Sequence, residues 1–128
     1  MRELTKAEEQ VMQVLWKIEK GVINDMLQEF DEPKPAYNTV STIVRILEKK
    51  GFIGHKAYGK THEYFPLTTK SEYTKKYFGN FMSNYFSNSY QALASFLTND
   101  KNISLHDLEE MKNLMEEEIN KQKPGKNG

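Results

Sequence analysis

Cysteine is absent from the 128 residues. That excludes a disulfide framework, a thiolate metal site and a cysteine nucleophile, and it fits a reducing compartment. No stretch approaches the ~18 consecutive apolar residues of a membrane span. The opening MRELTKAEEQVMQVLW is charged and amphipathic, without an apolar signal core, so the expectation is a cytoplasmic chain with no membrane insertion. Net charge is lacking too: 18 Lys and Arg balance 18 Asp and Glu, and the total therefore names no partner. The seven glycines form no phosphate-binding loop. His55, His62 and His106 show no metal-ligand spacing. Glu63 and Asp107 adjoin two of them, but immediate neighbours on a strand or helix point apart. No enzyme, metal site or cofactor is expected.

What is present suffices for one ordinary domain or two small units: 38% of residues are hydrophobic and 28% charged. Charge is polarised along the chain. Residues 38–62 carry Arg45, Lys49, Lys50, Lys56 and Lys60 against Glu48, a net of +4, whereas 104–119 carries six acids against Lys112. A local basic patch says more about a nucleic-acid partner than the total does.

Thr5 and Glu8 have the spacing of a capping box, and Ala7, Val11, Met12, Leu15, Trp16 and Ile18 follow at helical intervals up to Gly21, read as the stop. A second helix is predicted from Val22 to Phe30, ended by Glu32-Pro33-Lys34-Pro35. A third starts at Ala36–Asn38, buries Val40, Ile43, Val44 and Leu47, and stops at Gly51. Two β-prone runs around Tyr58-Gly59-Lys60-Thr61 then read as a hairpin closing at Pro66. Three helices and a hairpin are the element order of a winged helix-turn-helix.

After Pro66 aromatics dominate. Tyr73, Tyr77, Phe78, Phe81, Tyr85, Phe86, Tyr90 and Phe96, with Met82, Leu93 and Leu97, predict one long helix over 73–96, weakest at Gly79. Ser104 caps a last helix bearing Leu108, Met111, Met115 and Ile119. The expected class is mainly α, with a winged-helix domain over 1–70, a helical dimerisation region over 71–122 and a disordered tail over 123–128. A second copy packed across a two-fold axis would bury this aromatic face through Tyr77, Phe78, Phe81, Tyr85, Phe86, Leu93, Leu97, Leu108, Met111 and Met115. A monomeric bundle with the long helix folded back is the alternative.

A helix-turn-helix puts its second helix in the major groove, N-terminal end first. Here that helix presents Tyr37, Asn38, Thr39, Ser41, Thr42 and Arg45, and the hairpin presents Lys56, Tyr58, Lys60 and His62. Each residue has a plainer reading as a solvated surface residue, and Asn38 or Thr39 as a helix cap. A winged-helix module that binds protein instead of DNA is the rival function.

The segments LTKAEEQVMQVLW, AYNTVSTIVRILEKKGFIGHK and YGKTHEYFPL resemble the penicillinase-repressor family, and ISLHDLEEMKNLMEEE is similar to its last helix. The resemblance implies a homodimeric repressor of transcription on a palindromic double-stranded DNA operator. It places DNA contacts on Asn38, Thr39, Ser41, Thr42, Arg45 and Lys60. It also implies relief by cleavage in the dimerisation region under an upstream membrane sensor protease system. Two departures stand out. A basic pair late in the recognition helix is replaced by Arg45-Ile46, so either one backbone contact is missing or Ile46 turns inward. The family's Asn-Phe cleavage pair aligns with Phe96-Leu97, while an Asn80-Phe81 pair lies elsewhere in the long helix. The copper-responsive branch uses a C-terminal cysteine cluster, which this chain lacks.

Overall fold

The computed structural model describes residues 3–124; most of the tail read as disordered, 125–128, lies outside them. The elements are α1 (Lys6–Ile18), α2 (Ile23–Leu27), α3 (Tyr37–Lys49), β1 (Ile53–Tyr58), β2 (Thr61–Pro66), α4 (Lys70–Phe86), α5 (Tyr90–Thr98) and α6 (Leu105–Gln122). The fold is mainly α with one two-stranded antiparallel sheet, in winged helix-turn-helix order. Among the described residues no helix is long and apolar enough to cross a membrane. Two compact units meet within α4, after Phe78.

The first unit begins with the capping box: Glu8 N–H donates to Thr5 Oγ1 at 3.2 Å and Thr5 N–H to Glu8 Oε1 at 2.9 Å. Val11, Met12 and Leu15 of α1 meet Met26, Val40, Val44, Leu47, Phe52 and Ile53 in one closed core. Tyr73 belongs to that core and its hydroxyl accepts from Leu4 N–H at 2.8 Å. The first unit thus reaches into α4, past the boundary expected at residue 70. Trp16 Nε1–H donates to the Thr68 carbonyl at 2.7 Å, tying α1 to the segment that leads into α4.

Three local expectations change. Gly21 does not end α1, because the left-handed residue is Glu19 (φ 72). Gly21 instead pairs with Tyr64 through two backbone bonds of 3.0 and 2.8 Å, adding an isolated bridge beside β2. The helix predicted to Phe30 stops at Leu27, where Lys34 Nζ donates to the carbonyls of Leu27, Gln28 and Phe30. That ammonium satisfies oxygens a longer helix would have bonded internally.

In the second unit the single long helix does not form. Ser87 and Asn88 take positive φ values of 50 and 62, which ends α4 at Phe86. Asn88 N–H closes back on the Met82 carbonyl at 2.9 Å, and Ser89 caps α5 by accepting from Ala92 N–H at 3.0 Å. The aromatics still pair across the break, Phe86 with Phe96 at 5.7 Å. Gly79 stays helical, and Ser104 caps α6 by accepting from Asp107 N–H at 3.0 Å.

Candidate nucleic-acid interface

Burial divides α3 into two faces. Val40, Val44 and Leu47 are fully buried, and their spacing of four and three fixes the opposite face as Asn38, Thr42, Arg45 and Lys49, all exposed. Thr39 is exposed on one flank; Tyr37, half exposed, and Ser41, partly buried, lie on the other. Arg45 Nη2 donates to Ser41 Oγ at 3.0 Å, one helical turn back. The capping alternative for Asn38 and Thr39 falls away, since Ala36 is the N-cap and its carbonyl accepts from Thr39 and Val40 N–H, both at 3.1 Å. Gly51 at φ 90 terminates α3 as predicted, with Phe52 N–H on the Leu47 carbonyl at 2.9 Å. Ile46 is 42% exposed, so it has not turned inward.

The hairpin pairs Ile53 with Pro66 through to Tyr58 with Thr61, leaving Gly59-Lys60 as a two-residue turn. Gly59, at φ 64, holds the first central position, as a type II′ turn requires. Lys60 therefore stands at the tip, exposed, and Lys56 Nζ lies 5.3 Å from the centroid of the exposed Tyr58 ring. At the base, Gly54 has no room for a side chain: a Cβ would come within 2.9 Å of the Phe65 ring.

One face of the hairpin is tied to α3. His55 and His62 stack with centroids 4.2 Å apart and planes 9° from parallel, and Glu48 of α3 bonds His55 Nδ1. Tyr64 sits edge-on to both rings; burial pushes its phenol up, with the Glu48 charge adding to the shift. This cluster is not visible from sequence neighbours, which set His62 beside the hairpin tip and next to Glu63 only. Its signal is the register, which puts positions 55, 62 and 64 on one face. Tyr37, Ser41, Lys60, His62 and Tyr64 then line a cleft of about 280 Å³ that joins the hairpin tip to the start of α3.

Lys50 is already paired within the fold. Its Nζ lies 2.7 Å from Glu8 Oε2, and the Glu8 side chain is 7% exposed. Burial raises the Glu8 pKa, but the Lys50 ammonium and the hydrogen bonds with Thr5 outweigh it and hold the carboxyl below its usual range. Arg45, Lys49, Lys56 and Lys60 are exposed, and among the described residues no ion pair holds any of them.

A family profile described as penicillinase repressor matches residues 4–117. The chain belongs to the penicillinase repressor family. The methicillin resistance regulatory protein MecI of Staphylococcus aureus strain N315 is 26% identical over 114 residues, which is 88% of this chain and 93% of that protein. The MecI protein of Mammaliicoccus sciuri is 25% identical over the same shares. The penicillinase repressor of Bacillus licheniformis is 26% identical over 123 residues, 94% of this chain and 95% of its own. The names of these relatives are those of regulators, not of enzymes.

The penicillinase repressor match runs through the first unit and most of the second. Of the residues read as pairing two copies, Phe81, Phe86, Leu93, Leu97, Leu108 and Met111 are partly buried. Tyr77, Phe78, Tyr85 and Met115 are exposed by 43, 39, 73 and 59%. Leu105, Leu114 and Ile119 of α6 and Phe96 of α5 are also more than half exposed and were not among those read from the sequence. Helical spacing had marked Ile119 as apolar, but which apolar residues stay uncovered depends on packing that spacing does not reveal. Phe96-Leu97, the position matched to cleavage, lies inside α5, and Asn80-Phe81 lies inside α4.

Proposed function

We propose that this chain is a cytoplasmic DNA-binding transcriptional repressor that acts as a homodimer on a palindromic operator and has no catalytic activity. The observation that carries the reading is the face of α3 opposite the core: Asn38, Thr42, Arg45 and Lys49 stand exposed together, beside a hairpin tip bearing Lys60. An amide, a hydroxyl and a guanidinium on one helix face supply donors and acceptors for base edges, and Lys49, Lys56 and Lys60 supply charge for phosphate. In this reading Tyr37, Thr39, Ser41 and Tyr58 flank the contact. The domain assignment follows: residues up to about 70 read DNA, and the helices beyond pair two copies.

Pairing is supported by the apolar residues left exposed on α4, α5 and α6, with Tyr85, Phe96, Leu105 and Met115 each more than half uncovered. Exposed surface of that kind marks an association site. Release by cleavage in the second unit under a sensor protease system belongs to the same reading. At Phe96-Leu97 it requires α5 to open, because the pair is helical.

The test is selection of duplexes from a random pool by the full chain, followed by mobility shifts and sedimentation. Enrichment of a two-fold-symmetric site bound by two copies is the expected result. No enrichment, with salt-insensitive capture of a protein partner in its place, would favour the protein-binding module.

A further inference from the structure

Resting on the DNA-binding reading, we propose that Ile46 reads the C5-methyl group of thymine in the major groove. The residue sits on the reading helix but has no place in the core. Of the aliphatic residues in α3, Val40, Val44 and Leu47 are fully buried and Ile43 packs against the same cluster. Ile46 alone remains 42% exposed. It follows Arg45 directly and lies one turn beyond Thr42, so it borders the face assigned to base contact. A β-branched residue gains little from such a position in helix propensity.

What an isoleucine can recognise there is restricted. It offers no donor or acceptor, so neither a phosphate oxygen nor a purine edge satisfies it. The thymine methyl is the apolar group that base edges present in the major groove. Thr42, four residues before Ile46, and Lys49, three after it, lie on its side of α3 and suit polar edges and phosphate. Ile46 would add preference for an A·T pair at the position it covers.

Replacing thymine by deoxyuridine removes that methyl and nothing else. The full chain selects its duplex from a random pool, and each thymine of a half-site is then replaced in turn. At one or two positions the wild type should lose about fourfold in affinity, the worth of one methyl removed from water. Ile46→Ala should bind the thymine duplex correspondingly more weakly and be indifferent to the same replacement, with Ile46→Val intermediate. Circular dichroism confirms that each variant is folded. Equal losses for wild type and Ile46→Ala at every thymine, or no loss at any, would overturn the assignment while leaving DNA binding intact. Failure to enrich any duplex would remove the DNA-binding reading, and this inference with it.

Discussion

Raising salt should separate the cations proposed to face DNA from the one already paired inside the fold. Residues 38–62 hold five basic residues, but Lys50 is engaged by the buried Glu8 at 2.7 Å, which leaves Arg45, Lys49, Lys56 and Lys60 on each subunit. If all are on phosphate in a dimer, the logarithmic salt slope approaches about −7. Affinity then falls by about 10⁴ between roughly 50 and 200 mM salt. Lys60→Ala removes one contact from each half-site and should flatten the slope by about 2. Lys50→Ala should weaken the fold, because it leaves the Glu8 carboxylate buried without its cation, yet leave the slope unchanged when measured at a temperature where it is folded. Fluorescence anisotropy on a selected duplex across a salt series reads all three. A slope that flattens for Lys50→Ala as much as for Lys60→Ala would refute the division. An unchanged slope for Lys60→Ala would take the hairpin tip off the DNA.

Arg45→Ala should cost about 1–3 kcal/mol on the selected duplex if the guanidinium reads a base, and a similar loss on every sequence if it holds phosphate; titrations on selected and scrambled duplexes distinguish the two. Joint replacement of Met115 and Ile119 by lysine acts on side chains that are 59 and 52% exposed within one subunit. It should therefore spare the fold and weaken pairing by about 3–4 kcal/mol, taking about 1 kcal/mol per half-buried side chain on two subunits. An unchanged sedimentation equilibrium would remove those positions from the interface. Glu8→Gln keeps an acceptor for the cap but loses the charge facing Lys50, at a cost of about 1–2 kcal/mol near neutral pH by chemical denaturation. The folded carboxyl is held below its ordinary value of 4.5, so its contribution is complete above that value. It is lost as pH falls through the lower folded value. The gap between wild type and Glu8→Gln should close on acidification; a gap that widened would reverse the sign.

Features decided within a few residues were legible in the sequence. Thr5 and Glu8 formed the box their spacing announced, Gly51 stopped α3, and Ser104 capped α6. The break at Ser87–Ser89 was local as well, with an asparagine suited to a left-handed turn followed by a serine suited to a cap. The aromatic spacing nevertheless continues through it, because periodicity records which face is apolar, not whether the backbone is continuous. The partners of Gly21, Lys50 and His55 were a different matter. Gly21 pairs with Tyr64 and Lys50 with Glu8, each across some 40 residues of chain, and no helical or strand period connects such positions.

The same residue types therefore serve two purposes in the first unit, and only geometry assigns them. Glu8 holds Lys50 just beyond the end of α3, and Glu48, on its last turn, holds His55 of the hairpin. These two carboxylates fix α3 to α1 on one side and to the hairpin on the other. Lysines and arginine of the same chemistry, placed where no carboxylate among the described residues meets them, are left for an external anion. A charge count along the chain cannot separate the two groups, because it sums ions that cancel inside the fold with ions that do not. The basic segment therefore marks the face proposed to meet DNA, but its working charge is set by which cations the fold has already neutralised.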